Sequence, residues 1–236
     1  MCTVTFIPSQ DGNFIFTSNR DEAPKRSATE MVREDILGKE VLFPRDSLAK
    51  GTWIAIANSK QLVCILNGAF IKHKHQPPYK LSRGIMALEF FKYKNATDFF
   101  ENFDFGGMEP FTMVIFDDER LYELRWDEKE THVKKLDPSK THLWASCTLY
   151  ADEWQEKRKQ WFADWKQKYS VVNQNNVLDF HRNAGEGNSR YDVVMNYKDI
   201  VRTTSITSII NTNEKMSLRY EDLLDGSIEH EDLEFR

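Results

Sequence analysis

Met1-Cys2-Thr3-Val4-Thr5-Phe6-Ile7 and Asn13-Phe14-Ile15-Phe16-Thr17-Ser18-Asn19-Arg20-Asp21-Glu22 flank the dipeptide Asp11-Gly12, and their reading decides the fold. Both runs are rich in apolar and β-branched residues, and Asp-Gly between two such runs specifies a β-hairpin. A hairpin brings the end of its second strand back to the start of its first, so Arg20 and Asp21 are expected beside Cys2. Initiator methionine is removed only before a small residue, and cysteine is small. Removal would place a thiol and a free α-amine on one residue. An amine titrating near ~8 can take the proton of a thiol titrating near ~8.5 while the thiolate attacks a carbonyl. A nearby guanidinium lowers the thiol pKa, and a carboxylate can hold an α-ammonium or the arginine in place.

Beyond this hairpin, residues 23–50 are polar and turn-rich, with Pro24, Gly38 and Pro44, and read as a long connection bordering a site. Trp53 to Ala57 and Leu62 to Leu66 form a second hairpin across Asn58-Ser59-Lys60. Residues 71–81 carry His73, His75, Pro77 and Pro78 and are irregular. Ser82 caps a helix running to about Lys94, and a shorter helix covers Thr97 to Asn102. After Gly106-Gly107, Phe111–Phe116, Arg120–Trp126 and Thr131–Lys135 make a meander. Residues 150–168 form a helix whose Trp154, Trp161, Phe162 and Trp165 supply a core face. Strands return at Ser205–Ile210 and Met216–Tyr220, before an acidic tail after Asp222. Strand and helix blocks in this order predict an α+β domain over residues 1–236, with two mainly antiparallel sheets and helices outside them.

Composition narrows the function. With 236 residues, 40% hydrophobic and 29% charged, the chain can bury a substantial core. A net charge of −5 argues against nucleic acid as the main partner. No apolar run approaches the ~18 residues of a transmembrane helix, and the N-terminus lacks a basic segment followed by an apolar core. Three cysteines make no disulfide framework; Cys64 and Cys147 read as small strand fillers, and a reduced, cytoplasmic setting is expected. His73 and His75 lack a third ligand at metal-like spacing, so neither metal nor cofactor is expected. Asp179 and His181 resemble a base with its orienting carboxylate, yet no nucleophilic serine motif accompanies them, and they read as a solvated helix end. Gly185-Glu186-Gly187 lacks the context of a phosphate loop, while Asn183 and Asn188 are amide donors in the same polar stretch.

Cys2, Asn19-Arg20-Asp21-Glu22 and Gly51-Thr52-Trp53-Ile54-Ala55-Ile56 together resemble the NRDE family, also called the transport and Golgi organisation family. Leu66-Asn67-Gly68, Ser82-Arg83-Gly84 and Arg202-Thr203-Thr204-Ser205 extend the resemblance over most of the chain. That family is similar to the cysteine N-terminal-nucleophile (Ntn) hydrolases of the penicillin V acylase and bile salt hydrolase type. The resemblance implies a four-layer αββα sandwich, Cys2 as nucleophile, Arg20 and Asp21 beside it, and Asn67 as an oxyanion donor. It also implies substrate contacts from Asn19, Arg202 and the region Trp144-Ala145-Ser146-Cys147. There the hydrolases use a second asparagine and this chain offers Ser146. The activity implied is hydrolysis of a linear amide bond, and the substrate class expected is a small N-acyl amide. The alternative, implied by animal members linked to Golgi organisation and haem trafficking, is a non-catalytic carrier of an apolar ligand such as haem or lipid.

Overall fold

The computed structural model describes residues 2–9, 12–169 and 171–236, with the backbone alone at positions 2 and 29. Met1 and Asp11, on which the amine and turn expectations rest, lie outside the described residues. In chain order the strands are β1 (Cys2–Pro8), β2 (Phe14–Glu22), β3 (Ala28–Ile36), β4 (Lys39–Asp46), β5 (Ile54–Ala57), β6 (Gln61–Asn67) and β7 (Phe111–Asp117). They continue with β8 (Arg120–Trp126), β9 (Thr131–Leu136), β10 (His142–Ala145), β11 (Asn196–Tyr197), β12 (Val201–Asn211), β13 (Lys215–Asp222) and β14 (Ile228–Glu234). The α-helices are α1 (Arg83–Glu89), α2 (Ala96–Asn102), α3 (Asp152–Lys168) and α4 (Gln174–Asn183). This is the α+β class expected, with two antiparallel sheets. Two compact units divide it: Met1–Ser27 with Ser139–Asp232, and Ala28–Pro138 with Leu233–Arg236.

The unit built on Ala28–Pro138 is a meander in which β3 to β9 pair in sequence order. Alternation along its strands turns Val41, Phe43, Ala55, Ala57, Val63 and Ile65 to one face. Met86, Phe90, Phe91 and Phe99, from α1, α2 and the turn between them, close over that face. Full burial of each such side chain contributes roughly 1.5–3 kcal/mol. Ser82 caps α1 as expected, its hydroxyl accepting from the Ile85 amide at 3.2 Å. The long connection expected over residues 23–50 is instead a short turn at Pro24–Arg26 followed by the β3–β4 hairpin. β3 is an edge strand carrying Arg33, Glu34 and Asp35, so its composition is that of a solvated edge rather than of a core strand. Gly51 and Gly84 explain two family motifs at once. A Cβ on Gly51 would stand 2.3 Å from the Gly84 carbonyl carbon, and the Thr52 amide donates to Gly84 O at 3.1 Å.

The other unit carries a sheet ordered β10-β1-β2-β12-β13-β14, with β11 added to β12. Ile7 and Ile15 pack against Phe162 and Trp165 of α3 and Val177 and Phe180 of α4. The aromatic face of α3 is therefore core, as expected, except that Trp154 stacks on Tyr191 with ring centroids 4.0 Å apart. A capping box between Asn173 and Asn176 starts α4. Three expectations are corrected here. His181, expected at a solvated helix end, is fully buried because α4 lays that face on β1 and β2. The acidic tail after Asp222 pairs as edge strand β14, with Lys215 meeting Asp232 at 2.5 Å. Cys147 lies in a turn after β10, whereas Cys64 is a buried strand filler.

Candidate functional site

β2 lies between β1 and β12, so its backbone is paired on both sides. Cys2 stands opposite Arg20 in the β1–β2 register, and Thr3 stands opposite Asn19. On the other side Thr203 pairs with Asp21 and Ser205 with Arg20, and the register shifts between them. Thr204 is the extra residue of this β-bulge, and its hydroxyl donates to Arg20 O at 3.2 Å. The late Arg202-Thr203-Thr204-Ser205 motif is thus the strand that grips the Asn19-Arg20-Asp21-Glu22 motif.

Strand alternation divides the first motif between two faces. Asn19 and Asp21 turn toward α3 and α4, and both are fully buried. The Asn19 amide donates to His181 O at 2.9 Å and Val193 O at 3.2 Å, and its oxygen accepts from His181 Nδ1. Those two carbonyls can only accept, so the amide orientation follows, and the histidine carries its proton on Nδ1. His181 Nε2 then accepts from the Thr5 hydroxyl at 2.8 Å. Burial pushes His181 down to about 3, so the ring is neutral at physiological pH. Asn19, expected to touch substrate, has both amide hydrogens committed to this strand–helix joint.

Asp21 accepts from the Tyr150 hydroxyl at 2.7 Å and from the Thr203 hydroxyl at 2.6 Å. Burial raises its pKa, while the charge of the N-terminus, then the two hydroxyls and then the charge of Arg158 pull the other way. Arg158 is itself fully buried on α3. Its guanidinium lies 3.4 Å from the Tyr150 ring centroid and donates to Thr3 Oγ1 at 3.2 Å and Asp192 O at 3.0 Å. Ser146 leads into this arrangement: its carbonyl accepts the Tyr150 amide at 3.3 Å, closing the turn that carries the tyrosine.

Arg20 and Glu22 alternate to the opposite face of β2. The Arg20 side chain, 4% exposed, donates to Arg26 O. Glu22 meets Arg26 at 2.8 Å. Across the bulge, Tyr220 and Asp222 follow on β13, and Tyr220 is pushed up to about 12 by burial and then by Asp222. Arg202 pairs in register with Glu22, and its Nε is enclosed with no hydrogen-bond partner among the described residues.

Asn67 ends β6 in the other unit, opposite Phe111, and is followed by Gly68 at φ 82°. His73 and His75 both meet Glu109, at 3.0 and 3.1 Å, and Arg83 holds the second oxygen of that carboxylate at 3.0 Å. Asp127, Glu130 and His132 bring possible metal-ligand atoms within 4.8 Å of one another at the β8–β9 turn. Asp127 there also accepts from two turn amides, so ordinary turn chemistry accounts for the cluster. Sequence reasoning missed Tyr150, Arg158, Thr203 and His181 as a buried network. An arginine on the apolar face of α3 is the signal that points to it.

Solved structures share this fold, two of them as follows. A variant of conjugated bile acid hydrolase from Clostridium perfringens matches with TM-score 0.56 and 8% identity, over 98% of this chain and 92% of that one. The Caenorhabditis elegans ortholog of N-acylethanolamine-hydrolyzing acid amidase matches with TM-score 0.51 and 12% identity, over 88% of this chain and 92% of that one. The fold is therefore that of the Ntn hydrolases. No helix among the described residues is long and apolar enough to cross a membrane. No curated protein matches the sequence. Residues 1–216 match the family Transport and Golgi organisation 2, and the chain belongs to that family.

Proposed function

We propose that this protein is an N-terminal cysteine hydrolase of a linear carbon–nitrogen bond in a small N-acyl substrate. One observation supports the reading above all others: Cys2 pairs in register with Arg20, one residue from a fully buried carboxylate gripped by two hydroxyls. A carboxylate kept in such a place, where burial opposes its charge, is a common feature of reactive sites. In this reading Met1 is removed and the Cys2 amine takes the thiol proton. The thiolate attacks the amide carbon, the amine of the substrate leaves with that proton, and water hydrolyses the thioester. Asp21 holds the α-ammonium, Arg20 favours the thiolate, and Asn67 serves as an oxyanion donor worth roughly 3–4 kcal/mol. Arg202 and Ser146 are assigned to substrate, and Asn19 to holding β2 on α4. The two Ntn hydrolases that share the fold act, by their names, on a conjugated bile acid and an N-acylethanolamine, which favours an N-acyl substrate.

The test compares three preparations on a panel of N-acyl amides: free Cys2, Met1 retained, and Cys2→Ala. Turnover by the first alone is the expected result. No turnover by any of them, with equal binding of an apolar ligand by all three, would instead make the protein a carrier.

A further inference from the structure

Arg158 is a fully buried cation that makes no ion pair within 4.0 Å among the described residues. A charge in that position is costly unless something compensates it. Three of its contacts are neutral acceptors: Thr3 Oγ1, Trp154 O and Asp192 O. The guanidinium carbon also lies over two aromatic faces, that of Tyr150 at 3.4 Å from the ring centroid and, farther off, that of Trp161 at 5.9 Å. The same tyrosine donates its hydroxyl to Asp21 at 2.7 Å. A buried cation and a buried carboxylate are thus joined through one phenol, the cation on its face and the anion at its hydroxyl. A cation over an aromatic face draws electron density from the ring, which makes the phenol hydroxyl a stronger donor.

We propose that Tyr150 and Arg158 are positioning residues for the Cys2 site: Arg158, acting across the Tyr150 ring, keeps the Asp21 carboxylate ionised and fixed in one orientation. This rests on the hydrolase reading, in which Asp21 holds the α-ammonium of Cys2. Loss of the Asp21 charge would remove the counter-charge of that amine and set the acidic limit of the site. Beside the N-terminal charge, which also favours the ionised carboxylate, Arg158 is the cation that acts on Asp21 from α3. Thr203, from β12, supplies a hydrogen bond and no charge. His181, from α4, is neutral and engaged with Asn19 and Thr5. Asp192 offers Arg158 its carbonyl, while its carboxylate accepts the Glu186 amide. Arg20 and Glu22 sit on the other face of β2, and Arg202 pairs in register with Glu22.

The test reads the ionisation of Asp21 directly, by carboxyl carbon NMR, alongside the pH profile of Cys2 alkylation by iodoacetamide. Both use the full chain with a free Cys2. In the wild type Asp21 is expected to be ionised at neutral pH. Tyr150→Phe should raise its titration midpoint by about one pH unit or more, a tenfold loss of ionised over neutral form at a given pH. The acidic limb of Cys2 alkylation should move with it. Arg158→Met should shift the midpoint as far, while Arg158→Lys, which keeps the charge, should shift it much less. An unmoved midpoint in Tyr150→Phe, or equal shifts in the two Arg158 variants, would overturn the proposal. So would a wild-type Asp21 that is neutral at pH 7, a measurement that needs no variant to fold. Should the midpoint shift as expected while Cys2 alkylates no faster than Cys64 or Cys147, the hydrolase reading falls and the charge relation between Arg158 and Asp21 stands.

Discussion

The two units solve the same packing problem with opposite chemistry. Each lays two helices on one face of an antiparallel sheet. In the meander unit that interface is mainly apolar, from Val41 and Phe43 to Phe91 and Phe99, with one buried carboxylate, Asp117, accepting the Ala96 amide of α2. In the unit holding the N-terminus, an apolar cluster around Phe162 and Phe180 gives way to Asn19, Asp21, Tyr150, Arg158 and His181. An apolar interface needs only shape and area, whereas a buried polar one is tolerated only when each member finds its partner. Next to the backbone of Cys2, polar residues that each find a partner thus stand where the meander unit has apolar side chains.

Acid should separate the two interfaces most strongly. His181 titrates at about 3 in the fold against 6.5 in the unfolded chain, because burial opposes its charge. The unfolded state then binds the extra proton, so stability is full above pH 6.5 and is lost as pH falls toward 3. The loss approaches roughly 4–5 kcal/mol. Asp21 acts with the opposite sign, since its folded pKa is raised and acidification favours the folded form. Urea midpoints measured from neutral pH down to about pH 5 should fall in the wild type and stay flatter in His181→Gln. Equal slopes would show that the buried imidazole is not the titrating group.

Large truncations come next. Phe99→Ala in the apolar interface should cost about 3–5 kcal/mol, scaling with the void it leaves. Arg158→Ala should cost about as much for a different reason, since it strands a buried carboxylate. The double variant Asp21→Asn with Arg158→Met should recover part of the single losses, with a coupling of roughly 1–3 kcal/mol in denaturation experiments. Strict additivity would mean the two charges do not sense each other.

Smaller effects sharpen the contrast. Asn19→Ala leaves the carbonyls of His181 and Val193 without its amide and should cost roughly 1–3 kcal/mol. A reduced melting temperature with unchanged Cys2 alkylation would match its place in the strand–helix joint. The exposed Glu89–Lys92 pair on the meander unit provides the baseline. Glu89→Gln should change stability by about 0.3 kcal/mol at low salt and by nothing measurable in high salt.

Local pattern accounts for what could be read in advance. The first hairpin, the hairpin at Ile54–Asn67, the Phe111–Leu136 meander and the helix at Asp152–Lys168 each have a period and end signals in neighbouring residues. The β3–β4 hairpin escaped because an edge strand bearing Arg33, Glu34 and Asp35 reads as a loop. The acidic β14 escaped for the same reason. In the site, Arg20 and Asp21 were legible because a hairpin places them by local geometry alone. Tyr150, Arg158 and His181 were not, since the contacts that define them span 129, 155 and 176 residues of chain.

By itself the sequence determined the α+β class, most of the core strands, the helix over Asp152–Lys168, the return of Arg20 to the backbone of Cys2, and the family. Each of these follows from residues that are close in the chain or from a motif read in place. Only the tertiary structure decided that Asn19-Arg20-Asp21-Glu22 is divided between two faces, with Asn19 and Asp21 enclosed by α3 and α4. Alternation can say that neighbours point apart, but not which face is covered or by what. Whether a buried carboxylate is neutral or charged depends on that covering, because burial and the partners it brings push its pKa in opposite directions.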